Sequence, residues 1–418
     1  MASAAVSSLD PKAFVYDPFA PDVMRDPFPY YKILRDRYPI YRIEKYDAWA
    51  ISRYEDILKL LTDPHAHLTT TEGTLISPAL FRRSNAGKVP PPRLDPMDIF
   101  PNLPSPYYEQ VRQSAIGPLR PHAVAQLEPF IRERVRERLA ELIGRGRFNA
   151  TVDFGGYVSS GTACQLIGLP LAQAPLLLEL VNRSTTRDPE YGGPSDAFEE
   201  TSRRLMQMLA ELVRSRRKAS ADGSNRMVDG LINLEIAGRH LTDEEIAWHL
   251  MVIAVGATET LPKVVAAGLL ELWRHRDQRA QVLADLETNV PIAFEEMLRY
   301  GAPAQWFSRT VVDHPYTIRG HTLMPGHRVI ILFASANRDE RMFENADRFI
   351  WNRAMDGHLA FGYGMHFCVG VHVARLEGRI MVEELLRAIP DYEIDEANAR
   401  RVISDFQLGW MQVPLIVR

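Results

Sequence analysis

Apolar residues three and four apart mark most of this chain as helical. The clearest case opens at Thr242. Glu245 follows three residues later, the spacing of a capping box. Ile246, Leu250, Ile253, Ala257 and Leu261 keep one face apolar, while Met251, Val252, Ala254 and Val255 fill others. A helix apolar on nearly every side is predicted to be buried. Helices are also expected over 29–37, 54–61, 126–144 and 198–218, and 152–168 reads as a buried helix with Cys164 in the core. Another is expected to take Asn289 as its N-cap, carry Pro291 in its first turn and run to Tyr300. Alternation with period two is rarer. It predicts a strand pair within 41–52 that turns near Lys45–Asp47, strands at 310–312, 316–318 and 328–332, and a terminal pair after Tyr392. Residues 1–20 read as poorly ordered. From Thr69 to Ser105 neither period holds and prolines crowd, which predicts a functional loop or a disordered insert.

Composition narrows the class. The chain has 418 residues, 46% of them apolar and 24% charged, which is globular. A formal net charge of −4 gives no electrostatic case for nucleic acid as a partner. Two cysteines make no disulfide framework and suit a reducing cytoplasm. The first residues show no basic segment leading into an apolar core, and no run reaches about 18 apolar residues, so neither signal peptide nor membrane span is expected.

One of the two cysteines, Cys368, stands among Gly362, Gly364 and Gly370 in the run FGYGMHFCVG (361–370), just ahead of a helical pattern through Val371, Ala374, Gly378, Met381 and Leu385. Glycines allow a tight loop. A helix N-terminus would lower the thiol pKa and hold a thiolate. Such a thiolate is a nucleophile, with His366 as its local base, or a metal ligand; the plainer alternative is a buried, inert cysteine. Within the buried helix, Gly256, Thr258, Thr260 and Pro262 all disfavour regular backbone, which predicts a local opening. Glu296 and Arg299, three apart, face the same side of one helix.

These residues together resemble the cytochrome P450 family. Phe361, Gly364, Cys368, Gly370, Ala374 and Glu377 match its haem-binding signature; Gly256–Thr260 matches its oxygen-activation motif, with Ala257 where a second glycine is usual; Glu296, Arg299 and Arg353 match its structural trio. The resemblance implies a mainly α fold with a smaller β-rich part, haem lying between the long central helix and the cysteine loop, and a single catalytic domain over 21–418. It implies haem b (iron protoporphyrin IX) on a Cys368 thiolate, dioxygen as co-substrate, Thr260 to hydrogen-bond dioxygen and Glu259 to relay protons through water. Phe361, Gly362, Gly370 and Gly256 would shape the cofactor site. Arg112, Arg309 and His366 would bring cations to the haem propionates. Tyr108 stands where a histidine is usual, and a phenol adds no charge.

By the same resemblance the substrate pocket would be walled by Val252, Val255, Gly256, Ala304, Trp306, Phe307, Gln407 and Leu408, with Leu75 and Phe100 from a lid over 69–105. Bulky Trp306 and Phe307 suit a compact, mostly apolar molecule. The implied activity is insertion of one oxygen atom into that molecule. With no flavin or iron–sulfur module in the chain, electrons would come from a separate ferredoxin and ferredoxin reductase, met near Arg375 or Arg379. The alternatives are a peroxygenase, a haem-dependent isomerase or dehydratase, and a non-enzymatic haem sensor.

Overall fold

A computed structural model describes residues 14–75, 91–185, 197–219 and 226–418. The sequence reading for 1–13 lies outside these residues, as does the stretch 76–90 of the expected lid. The architecture is a large helical assembly with a smaller sheet region. Helices Tyr157–Ile167, Ala174–Thr185, Phe198–Lys218, Leu286–Gly301 and Val371–Ala388 pack around the central helix Asp243–Arg274. The capping box forms as its spacing predicts: Thr242 accepts from the Glu245 amide, and Glu245 accepts from the Thr242 amide at 2.8 Å.

The central helix is long and apolar enough to cross a membrane by length and composition alone. Its apolar faces are instead buried by neighbouring helices in two cores, one containing Ile246, Leu250 and Ile253, the other Val264, Val265 and Leu269. The helix also runs unbroken through Pro262, so the expected opening is absent. The Thr260 hydroxyl turns back onto the Gly256 carbonyl at 3.0 Å. Gly155 seats against Pro262 so closely that a Cβ there would lie 2.9 Å from the proline Cα.

The main sheet has five strands in the spatial order Ile40–Ile43, Ala48–Ile51, Arg328–Ile331, Phe307–Val311 and Leu68–Thr69. Only the pairing of Ala48–Ile51 with Arg328–Ile331 is parallel. This register sets Arg309 opposite Val329. The first hairpin turns at Glu44–Tyr46, where Asp47 takes φ 53°. Two expectations need correction. Residues 14–20 are well packed, with Phe14, Tyr16 and Phe19 buried among Tyr30, Tyr31 and Trp306, because their aromatic area outweighs the cost of ordering the segment. The helix expected from Asn289 begins at Leu286, and Asp285 caps it by accepting from the Thr288 amide at 3.2 Å. Pro291 therefore lies inside the helix rather than in its first turn.

Candidate active site

The cysteine loop is held by its own backbone. The Cys368 amide donates to the Phe361 carbonyl at 3.0 Å, and Phe367 donates to Gly364 at 3.0 Å. Gly362 and Gly364 take φ of 70° and 72°, a region in which side chains are strained. Gly370 caps the helix Val371–Ala388. Burial raises the Cys368 thiol pKa; the Gly370 amide and the Arg112 charge pull the other way without overcoming it. The expected lowering by the helix terminus is thus present but outweighed by desolvation.

Beside the loop, basic and hydrogen-bonding groups converge. Arg112 donates to the Tyr108 hydroxyl at 2.5 Å and to the Phe367 carbonyl at 2.8 Å; Tyr108 in turn donates to the Met365 carbonyl at 3.0 Å. The Tyr108 and His366 rings lie 4.4 Å apart. Arg309 is 6% exposed, and burial lowers it to about 10. It donates to the Ser308 carbonyl at 2.8 Å, and no carboxylate among the described residues pairs with it. Burial, then Arg309 and Arg112, lower His366 to about 3, so the ring is neutral while no anion faces it.

Behind the loop, Arg299 grips Glu296 through two bonds of 2.7 and 2.8 Å, and Arg353 reaches the same carboxylate at 3.1 Å. The Ile350 amide also donates to Glu296 at 2.8 Å, and Arg299 donates to the Asn337 and Ala346 carbonyls. Glu296 and Arg299 are fully buried. On the central helix, Glu259 is buried and ion-paired with Lys263, one turn on. Burial pulls the Lys263 ammonium down to about 7. Lys263 was missed in the sequence, although its spacing of four from Glu259 is a legible pairing signal.

The cytochrome P450 family model matches residues 194–389. Cytochrome P450 123 of Mycobacterium tuberculosis is 32% identical over 410 residues, covering 98% of each chain. A methyl-branched lipid omega-hydroxylase of Mycobacterium bovis is 28% identical over 318 residues, 75% of this chain and 73% of the relative. The solved structure of Mycobacterium marinum cytochrome P450 CYP268A2 in complex with pseudoionone superposes with a TM-score of 0.83 at 24% identity, over 98% of this chain and 100% of that one. The chain belongs to the cytochrome P450 family. It is a monooxygenase-family oxidoreductase with the P450 fold, and the family implies haem on a cysteine thiolate and dioxygen as co-substrate.

The residues present fit a P450 haem. An isolated buried guanidinium is costly, and Arg309 has Arg112 for a neighbour instead of an acid. Two propionates would meet that unbalanced charge, with Tyr108 and His366 supplying hydrogen-bonding groups. Along the central helix, Val252, Val255 and Thr260 are partly accessible and Gly256 is exposed, with no atom within 4 Å of where its Cβ would be. This stretch forms an open groove. Ala304 and Phe307 are partly accessible as well.

Other expected pocket residues sit elsewhere. Trp306 is fully buried against Phe19 and Phe406 and donates to the Asp405 carbonyl at 2.7 Å, so it is core. Leu408 packs into that same core and borders a surface cleft of about 330 Å³ with Trp410, Arg274 and Arg338. Gln407 is buried and bridges to Ala304. Leu75 is 44% exposed. Phe100 is buried, wedged between Tyr108 and His249, whose Nδ1 accepts from the Phe100 amide at 3.1 Å. Arg375 and Arg379, expected to meet an acidic partner, are already paired with Glu295 and Glu128.

Proposed function

We propose that this P450 inserts one oxygen atom from dioxygen into a small, mostly apolar organic molecule, using electrons from a separate ferredoxin and its reductase in the cytoplasm. The carrying observation is the buried Arg309 beside Arg112, cations that no carboxylate among the described residues pairs with and that suit a propionate-bearing cofactor next to Cys368. Haem held by the Cys368 thiolate would supply reductive activation of dioxygen. The chain's own residues supply the rest. Arg112 and Arg309 neutralise the propionates, and Tyr108 and His366 orient them. The Thr260 hydroxyl, parked on the Gly256 carbonyl, is a donor at the edge of the groove. Glu259 is the nearest acid for the protons that the reaction consumes. Partly accessible Val252, Val255, Ala304 and Phe307 support an apolar substrate, as does the methyl-branched lipid named for one relative. With Trp306 in the core, the size limit on that substrate rests on Phe307.

The test is the absorbance spectrum of the purified, reduced, CO-bound holoprotein, followed by a ligand screen on the resting spin state. A red-shifted Soret band that disappears in Cys368→His, together with an apolar ligand that displaces water from iron and yields an oxygenated product, is the expected result. A thiolate-type spectrum with no product from any spin-shifting ligand would point instead to a sensor.

A further inference from the structure

We propose that the surface cleft bordered by Arg338, Arg401 and Trp410 is a second ligand site, built for a small aromatic carboxylate. It goes beyond the monooxygenase reading: no residue proposed to hold haem, and none lining the open groove, borders this cleft.

The cleft has a volume of about 330 Å³, within the range of small-molecule sites. It opens over Ala267, about two turns past Thr260 on the central helix and so roughly 10 Å farther along its axis. Between them Gly301 packs on Val264, where a Cβ would lie 3.8 Å from the valine Cα. Leu408 walls the cleft, and beside it Gln407 bridges to Ala304 at the groove. Cleft and groove thus lie along one helix and share a neighbouring segment without sharing a side chain.

Cations outweigh acids around the cleft. Arg25 meets no acid among the described residues. Arg401 comes within 3.7 Å of Asp26, and Arg338 within 3.8 Å of Asp347, both outside hydrogen-bond reach. The third bordering acid, Glu271, is committed to Arg274 at 2.6 Å. Arg338 is the costly member. It is 6% exposed, and burial lowers it to about 10. It donates to the Tyr300 and Asp347 carbonyls at 2.9 and 3.4 Å, and no carboxylate among the described residues accepts from it. A buried guanidinium without a bonded anion is the condition that also marks Arg309.

Two of these cations sit against rings. The Arg338 guanidinium lies 3.5 Å from the Tyr300 ring centre and 4.6 Å from that of Phe28; Arg401 lies 5.1 Å from that of Trp410. All three rings are partly accessible, and Val402 and Leu408 add an apolar floor. A guanidinium beside a ring, twice around one cavity, suits a ligand with a carboxylate on an aromatic body. The body packs on the rings and the floor, and the carboxylate accepts from the guanidiniums. A bare inorganic anion leaves the floor unfilled, and an uncharged ring leaves the cations unanswered.

Calorimetric titration with 2-naphthoate tests the site on the haem-loaded protein, with clotrimazole on the iron so that the groove is filled. The expected result is saturable binding of one naphthoate per chain, with uncharged 2-naphthamide about tenfold weaker or more. Inorganic phosphate at the same concentration should give no saturable heat. Arg401→Ser is expected to weaken naphthoate binding about tenfold and Trp410→Leu about threefold, each with an unchanged CO spectrum. Arg338→Met also unstacks Tyr300 and Phe28, so the two more exposed positions carry the test. No saturation into the millimolar range, equal affinity for acid and amide, phosphate binding as tight as naphthoate, or unchanged binding in the Arg401→Ser, Trp410→Leu double variant overturns the proposal. Should the protein show no thiolate-type spectrum, the monooxygenase reading falls, while the same titration without clotrimazole still decides the cleft.

Discussion

Arg309 carries a charge that no carboxylate among the described residues balances. It is buried, its guanidinium is pulled down to about 10 by desolvation, and its neighbours are Tyr108, Arg112 and His366. In the haem-free protein such a group is a burden. Arg309→Met should therefore stabilise the haem-free form, by on the order of 1–3 kcal/mol, while weakening haem retention. Urea midpoints of the haem-free protein and the haem-to-protein ratio after gel filtration measure the two effects, and a loss of stability in both forms would show that Arg309 serves the fold instead. Thr260 belongs to the same scale. Its hydroxyl has one local bond, to Gly256, so Thr260→Ala removes a donor from the groove without leaving a buried group stranded. The expected outcome is normal folding and haem content, with electrons diverted from product to hydrogen peroxide. Both residues were legible as candidates from their motifs. That His366 would be neutral was not, because its state follows from burial and from two arginines distant in sequence.

At the level of elements, the trio ties two segments to one carboxylate. Glu296 and Arg299 lie on one helix, Arg353 lies far along the chain, and the Ile350 amide completes the set. Removing the carboxylate leaves two guanidiniums buried without an anion. Glu296→Ala is expected to lose about 3–5 kcal/mol and to purify with little haem, since the cysteine loop is braced by that segment. A denaturant midpoint at unchanged slope, with the haem absorbance beside it, decides the matter; wild-type haem content would remove the bracing role. Most helices and strands could be read from period and caps, and Thr242–Glu245 formed as written. The start at Asp285 was missed because Asn289 and Pro291 imitate an N-terminus four residues late. The continuous helix through Pro262 was missed because propensity acts locally, whereas Gly155 packs against the proline from another segment.

Across the molecule, buried ionisable groups set the response to pH. Arg239 and the Met97 and Thr242 amides overcome burial to hold Glu245 near 2. His358 and Arg375 do the same for Glu295. Stability from these depressed carboxylates is present above their unfolded pKa and is lost as pH falls toward 2. His249, lowered by burial to about 4, loses its contribution as pH falls from 6.5. Glu377 works in the opposite direction. Burial raises it to about 7 despite hydrogen bonds from Ser159 and Thr162, so its contribution is full below 4.5 and is lost as pH rises through 7. Relative to the unaltered protein, Glu377→Gln should therefore gain stability between pH 5 and pH 8. Urea midpoints at those two values test the sign, and an equal difference at both would mean that the carboxyl does not titrate there.

Local order needs only neighbours along the chain. Period, caps and the spacing of Phe361, Cys368, Glu296 and Thr260 sufficed to anticipate helices, strands and family, because each depends on residues a few positions apart. Which apolar side chains became wall and which became core could not be anticipated in that way. Trp306 and Leu408 were drawn into the cluster around Phe19 and Tyr31. Thr151 was brought beside Thr258 at one small cavity, where both hydroxyls are left unbonded. Those outcomes depend on close packing between segments hundreds of residues apart, and burial, not proximity in the chain, then sets the charge each group carries.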